Sequence, residues 1–168
     1  MARSPELLRE DEQAAWGGVL AVHASVVREL DHRLRVEHQL SVSEFDVLIT
    51  LFNAPGRRLR MSDLAGAVML SAAGLTHLVN RLALVGLVER NVAAQDRRSF
   101  LVSLTAKGLE RLDAARVTHN RVIRERFLAR LTEDQRRQLA GIWAAVDVED
   151  VSDSRRSSRR GRARVPPR

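Results

Sequence analysis

Trp16, Leu20, Val27, Leu30 and Leu34 keep the alternating three-and-four spacing of one helical stripe, with His23 in the gap between Leu20 and Val27. The spacing predicts a long first helix over about 10–38. Ser43-Glu44-Phe45-Asp46 has the layout of a capping box, a hydroxyl with a carboxylate three residues on, ahead of Val47, Leu48, Leu51 and Phe52. Ala54-Pro55-Gly56 stops that second segment, because proline cannot continue the hydrogen-bond ladder. Ser62 is a candidate cap for a short helix from Asp63 to Val68, and Ser71 for another that runs to Val85 and ends at Gly86. Only Met69 and Leu70 separate these two, the tight connection of a helix-turn-helix.

Leu87-Val88-Glu89-Arg90 and Phe100-Leu101-Val102-Ser103-Leu104 read as strands on either side of the polar stretch Asn91 to Ser99, which makes a hairpin with a basic tip. Thr105 can cap a long fifth helix carrying Leu109, Leu112, Ile123, Phe127 and Leu131. Thr132 and Gln135 form a second capping box, opening a last helix with Leu139, Ile142, Trp143 and Val146 on one face. The fold class is therefore mainly α with a small β-hairpin wing, a winged helix-turn-helix with flanking helices. It forms one domain over 1–150, followed by a Ser/Arg/Pro-rich tail over 151–168 that has nothing to bury and is expected to be disordered.

In the helix after Ser71, Leu75, Leu78, Val79 and Leu82 define the buried face, which leaves Ala73, Thr76, His77 and Asn80 outward. Short side chains let such a helix enter a major groove about 12 Å wide, where Thr, His and Asn meet base edges or phosphates. Gly74 lowers helix propensity by about 1 kcal/mol relative to alanine, a mark of close backbone approach. Asp96-Arg97-Arg98 stands at the hairpin tip, where arginines on a thin ribbon can enter the minor groove. The aspartate is placed to orient one of them or to meet Arg81, and Arg90 to contact a phosphate or brace the wing. The candidate DNA-binding set is thus Ser71, Ala73, Thr76, His77, Asn80, Arg81, Arg90, Asp96, Arg97 and Arg98.

Charge changes this picture less than its sum suggests. The chain carries +7, but seven arginines against Asp153 put six of those charges on the tail, so the folded part stands near neutral at +1. Local pattern, and not global charge, has to carry the DNA argument; the tail would add salt-sensitive, non-specific affinity. The absence of cysteine excludes disulfides, cysteine-ligated metal and thiol chemistry. The sequence holds no G-x-S-x-G, G-x-G-x-x-G, P-loop or H-E-x-x-H motif, so no enzyme and no cofactor is expected. The histidines His23, His32, His38, His77 and His119 show no i, i+4 pairing, so no metal site is expected. The first apolar run, Ala14 to Val22, follows Glu10-Asp11-Glu12 where a leader would carry positive charge, and no segment has membrane-helix length. The expected setting is cytoplasmic, without a membrane partner.

Residues 10 to 148 resemble the MarR family of winged-helix regulators. The resemblance is carried by Leu40-Ser41-Val42-Ser43-Glu44-Phe45, Pro55-Gly56-Arg57-Arg58-Leu59-Arg60-Met61-Ser62-Asp63-Leu64-Ala65, Leu70-Ser71-Ala72-Ala73-Gly74-Leu75-Thr76, Arg81-Leu82, Gly86-Leu87-Val88, Asp96-Arg97-Arg98 and Leu104-Thr105-Ala106-Lys107-Gly108. It implies a DNA-binding lobe of about 43–104 and a homodimer built from the first and last two helices. It also implies a pseudo-palindromic double-stranded DNA operator, transcriptional repression, and release by a small organic effector in a cleft where Trp16, His23 and His119 are the candidate lining. The chain departs from the family's pattern at Ala72, Ala73, His77 and Asn80, where charged or polar residues are common, and it has no proline in Asn91-Val92-Ala93-Ala94-Gln95. A charge-poor reading face motivates an alternative, a winged-helix protein-interaction module that has lost operator reading.

Overall fold

The computed structural model describes residues 7–68, 70–93 and 96–146, without the side chains of 93 and 96–99. The tail at 151–168, including its expected disorder, lies outside the described residues. Helix α1, Glu10–His38, opens on Glu10, Asp11 and Glu12, whose charges complement the helix dipole, and closes with Gln39 in the left-handed region. Helix α2, Val42–Asn53, starts two residues earlier than the sequence pattern suggests. Its capping box is Ser41 with Glu44, and Ser43 lies inside the helix. Ser41 Oγ accepts from the Glu44 amide at 3.2 Å while Glu44 Oε2 accepts from the Ser41 amide at 2.8 Å. A turn at Pro55–Arg57, in which Gly56 takes φ +63°, leads into β1, Arg58–Arg60.

Helix α3 is Met61–Val68, so Ser62 is inside it and not its cap; the Ser62 hydroxyl turns to Asp63 at 3.4 Å. Helix α4, Ala72–Leu84, is capped by Ser71, whose Oγ accepts from the Gly74 amide. The wing consists of β2, Val88–Ala93, and β3, Asp96–Leu104, which extend the two expected strands into the polar stretch between them. The sheet order is β1-β3-β2, all antiparallel, with Leu59 opposite Val102 and Arg90 opposite the same residue on the other side. Helix α5, Ala106–Arg126, is capped by Thr105 and ends before Phe127; Leu128–Arg130 is a separate turn, so the fifth helix stops short of Leu131. Helix α6, Glu133–Ala145, carries the expected Thr132/Gln135 box.

One core joins these elements. Leu34, Leu48, Leu51, Leu64, Leu75, Val79, Leu82, Val88, Val102 and Leu112 are buried together, drawing in the end of α1, then α2, α3, α4, the sheet and α5. Burying each such side chain contributes about 1.5–3 kcal/mol. No described residue of α6 is buried, and the first half of α1 is exposed. These two helices project from the core as amphipathic segments without a covering surface among the described residues.

The second half of α1 is bound to α5 by ions as well as apolar contact. Glu37 accepts from Arg121 at 2.6 Å and from the Thr118 hydroxyl at 2.7 Å, Glu29 pairs with Arg33 and Arg126, and Arg111 donates to the His38 carbonyl. The hydrogen bond from Arg33 and that from Arg126 hold Glu29 below the usual carboxylate range; Thr118 and Arg121 do the same for Glu37, and Arg35 for Asp31. Burial lowers His38, against the opposing pull of Glu37. Each of these folded values is depressed, so the unfolded chain binds more protons and stability falls as pH falls. Thermal unfolding is expected to shift down first as pH drops below about 6.5, where the imidazole of the unfolded chain takes up a proton before folded His38 does, and again through the carboxylate range. Melting curves of the protein and of His38→Gln, which lacks the upper step, check this.

Candidate nucleic-acid interface

Helix α4 divides cleanly into two faces. Leu75, Val79 and Leu82 are buried and Leu78 is half-buried, whereas Ala73, Thr76, His77 and Asn80 are all exposed. The Ser71 cap sits at the exposed N-terminus of the same helix. Gly74 has a local explanation: a Cβ there would lie 3.2 Å from Ser71 Oγ, so the glycine makes room for its own cap. Thr76 donates its hydroxyl to the Ala72 carbonyl at 2.8 Å, which leaves its oxygen as an acceptor toward solvent.

Arg81 points elsewhere. Its Nε lies 2.9 Å from Oε1 of Glu44, a carboxylate that is 1% exposed at the start of α2. The arginine that the sequence placed on DNA or on Asp96 therefore ties α4 to α2. Arg90 braces the wing from the other side. Its Nη1 donates to Asn80 Oδ1 and its guanidinium lies 4.6 Å over the Phe100 ring, joining α4, β2 and β3. Asp96, Arg97 and Arg98 are on β3, and their side chains lie outside the described residues.

The base of the wing is locked to α5. Gly86, at φ +74°, turns the chain out of α4, and its carbonyl accepts from the Thr105 hydroxyl at 2.8 Å. Lys107 Nζ donates to the Val85 carbonyl at 2.8 Å, satisfying an end group of α4. Gly108 packs directly beneath Leu87.

The residues proposed to line an effector cleft are not brought together within one chain. Trp16 and His23 are exposed on the projecting half of α1, and His119 stacks on Phe45 with ring centroids 4.8 Å apart. A cavity of about 350 Å³ lies instead between the end of α1, the end of α4 and the start of α5, with Leu40, Glu44, Arg81, Val85, Lys107 and Arg111 in its wall. Nothing in the local sequence pattern marks Glu44, Lys107 and Arg111 as neighbours. Among the described residues no cluster of three or more His, Asp or Glu could hold a metal, and no single helix is long and apolar enough to cross a membrane.

This arrangement of helix-turn-helix, three-stranded wing and long flanking helices has close counterparts. A family model described as the MarR family matches residues 38–99. The transcriptional regulator PecS of Dickeya dadantii is 30% identical over 140 residues, covering 82% of each chain. The chain belongs to the MarR family. A MarR-family transcriptional regulator of Streptomyces coelicolor, solved in complex with DNA, superimposes with a TM-score of 0.76 at 29% identity, over 86% of this chain and 91% of that one. The regulator YdgJ of Bacillus subtilis is 30% identical over 107 residues, which span 64% of this chain and 63% of that protein's length. Membership gives the chain the family's winged-helix fold. The matched residues 38–99 hold the segment from the α2 capping box to the wing, with α4 inside it.

Proposed function

We propose that this regulator binds duplex DNA as a homodimer, with α4 in the major groove and the Asp96-Arg97-Arg98 wing in the adjoining minor groove. The observation that carries the reading is the face of α4: Ala73, Thr76, His77 and Asn80 stand exposed in one row, short enough for close approach, beside a wing braced by Arg90. Dimerisation is supported by the two projecting helices. Trp16 and Leu20 on α1, with Ile142, Trp143 and Val146 on and just after α6, leave large apolar side chains uncovered, as expected for segments that a second copy covers. Two-fold symmetry would set the recognition helices about one DNA turn apart, roughly 34 Å, and match them to a pseudo-palindrome.

Repression follows if the operator overlaps a promoter, and release follows if a small organic ligand changes the spacing of the two lobes. The cavity between α1, α4 and α5 supports that step, since its volume of about 350 Å³ suits a small molecule and its wall includes both Arg81 of α4 and Arg111 of α5. A ligand that saturates the protein without changing DNA affinity would sink the release step.

Selection of bound duplexes from a random pool, with the full chain at near-physiological salt, tests the main reading. Enrichment of a two-fold symmetric site is expected. The charge-poor face of α4 favours a second reading, docking of a partner protein; no enriched sequence, with affinity indifferent to salt, is the outcome that supports it.

A further inference from the structure

Asparagine that reads adenine uses both ends of its amide, accepting from N6 at Oδ1 and donating to N7 from Nδ2. In Asn80 the acceptor end is turned toward the protein. Arg90 Nη1 already donates to its Oδ1. A guanidinium has no acceptor, so the amide must turn its oxygen toward Arg90; the flipped amide would set N–H against N–H. The guanidinium is held in turn. It stacks on Phe100 at 4.6 Å, the residue is half-buried, and its Nε is buried without a hydrogen-bond partner among the described residues. Swinging Arg90 out would break the stack and the charge-assisted bond together. Asn80 itself is exposed, so what it turns to solvent is the Nδ2 donor.

We infer that Arg90 is a positioning residue that turns the Oδ1 of Asn80 toward the wing and its Nδ2 donor toward the groove, so that the base facing Asn80 is selected for acceptors on its major-groove edge, guanine before adenine. Guanine presents N7 and O6, both acceptors, whereas adenine sets its N6 donor beside N7, and an Oδ1 turned toward Arg90 is directed away from that donor even though one of its lone pairs is free. The inference rests on α4 lying in the major groove as proposed above. An acid at position 80 would keep the Arg90 contact yet turn an acceptor outward, so the neutral amide specifies the polarity of the readout.

The test compares base preferences of the full-length protein, Asn80→Asp and Arg90→Met by selection from one random pool at one salt concentration, with melting curves confirming that each variant is folded. The unaltered protein is expected to prefer guanine over adenine by about fivefold at one position in each half-site, the low end of what one mismatched pair costs. Asn80→Asp keeps the brace and is expected to move that position to cytosine, whose N4 donates. Arg90→Met frees the amide and is expected to admit adenine there. If Arg90→Met weakens every duplex by one common factor with preferences unchanged, Arg90 is a plain phosphate contact and the inference is wrong. It is equally wrong if Asn80→Asp leaves the base preference at that position as it was. If the unaltered protein enriches no sequence, the placement of α4 in the groove fails first and takes this inference with it.

Discussion

Gly108→Ala is expected to destabilise the fold by about 3 kcal/mol or more, at or beyond the upper end of the usual cost of overpacking. An added Cβ would stand 2.0 Å from the Leu87 carbonyl oxygen and 2.9 Å from Leu104 Cδ1. The first of these is backbone and is fixed on both sides, since the Leu87 amide donates to Leu82 and its carbonyl accepts from the Thr105 amide and hydroxyl. To relieve the clash, α5 has to leave the base of the wing, and the wing's alignment with α4 goes with it. Urea unfolding of Gly108→Ala beside Gly66→Ala checks the cause. Gly66 is exposed on α3 with nothing within 4 Å of its would-be Cβ, so that substitution should be neutral or stabilising by up to about 1 kcal/mol. Equal losses in both would refute the steric account.

Arg81→Met is expected to cost about 1–2 kcal/mol, between an exposed ion pair and a fully buried one, since only the Glu44 side is buried. The loss falls on Glu44, which is 1% exposed and keeps only the amide and hydroxyl of Ser41 once the guanidinium is gone. Arg81 is half-exposed, so the converse change, Glu44→Gln, leaves a cation that water can solvate and should cost less. Adding Glu44→Gln to Arg81→Met should recover part of the stability, because it removes the stranded charge; thermal melts of the two single variants and the double variant measure the coupling. If Arg81 were chiefly a phosphate contact, Arg81→Met would leave stability intact and lower the salt dependence of DNA binding by about one unit of slope.

Features whose cause is local were legible in the sequence. The bounds of α1, the caps Ser71, Thr105 and Thr132, the turn at Gly86 and the two faces of α4 each depend on residues within a helical turn or two. The cap of α2 was not. Ser41/Glu44 and Ser43/Asp46 have the same spacing, and what separates them is the burial of Glu44 against Arg81, 37 positions away. Strand β1 is three residues long with only Leu59 turned inward, too short for alternation to register. The end of α5 was hidden because Phe127 and Leu131 continue the apolar rhythm past the break.

The candidate interface divides the same way. Periodicity placed Ala73, Thr76, His77 and Asn80 on the outside of α4, but it could not reveal that Arg81 reaches across to Glu44 or that Arg90 bonds Asn80. Those roles depend on partners in other elements, Glu44 of α2 and Phe100 of β3. The cavity wall likewise joins α1, α4 and α5 through residues with no sequence proximity.

The measurement that bears most directly on the central claim is binding of the full chain to its selected duplex and to a scrambled one, followed across a salt series with the stoichiometry fixed by sedimentation. Two chains per symmetric site are expected, with a preference over scrambled DNA of at least about a thousandfold and affinity that falls steeply and linearly in log salt as phosphate counterions are released. One chain per duplex, or equal affinity for both duplexes, would contradict dimeric, sequence-specific recognition.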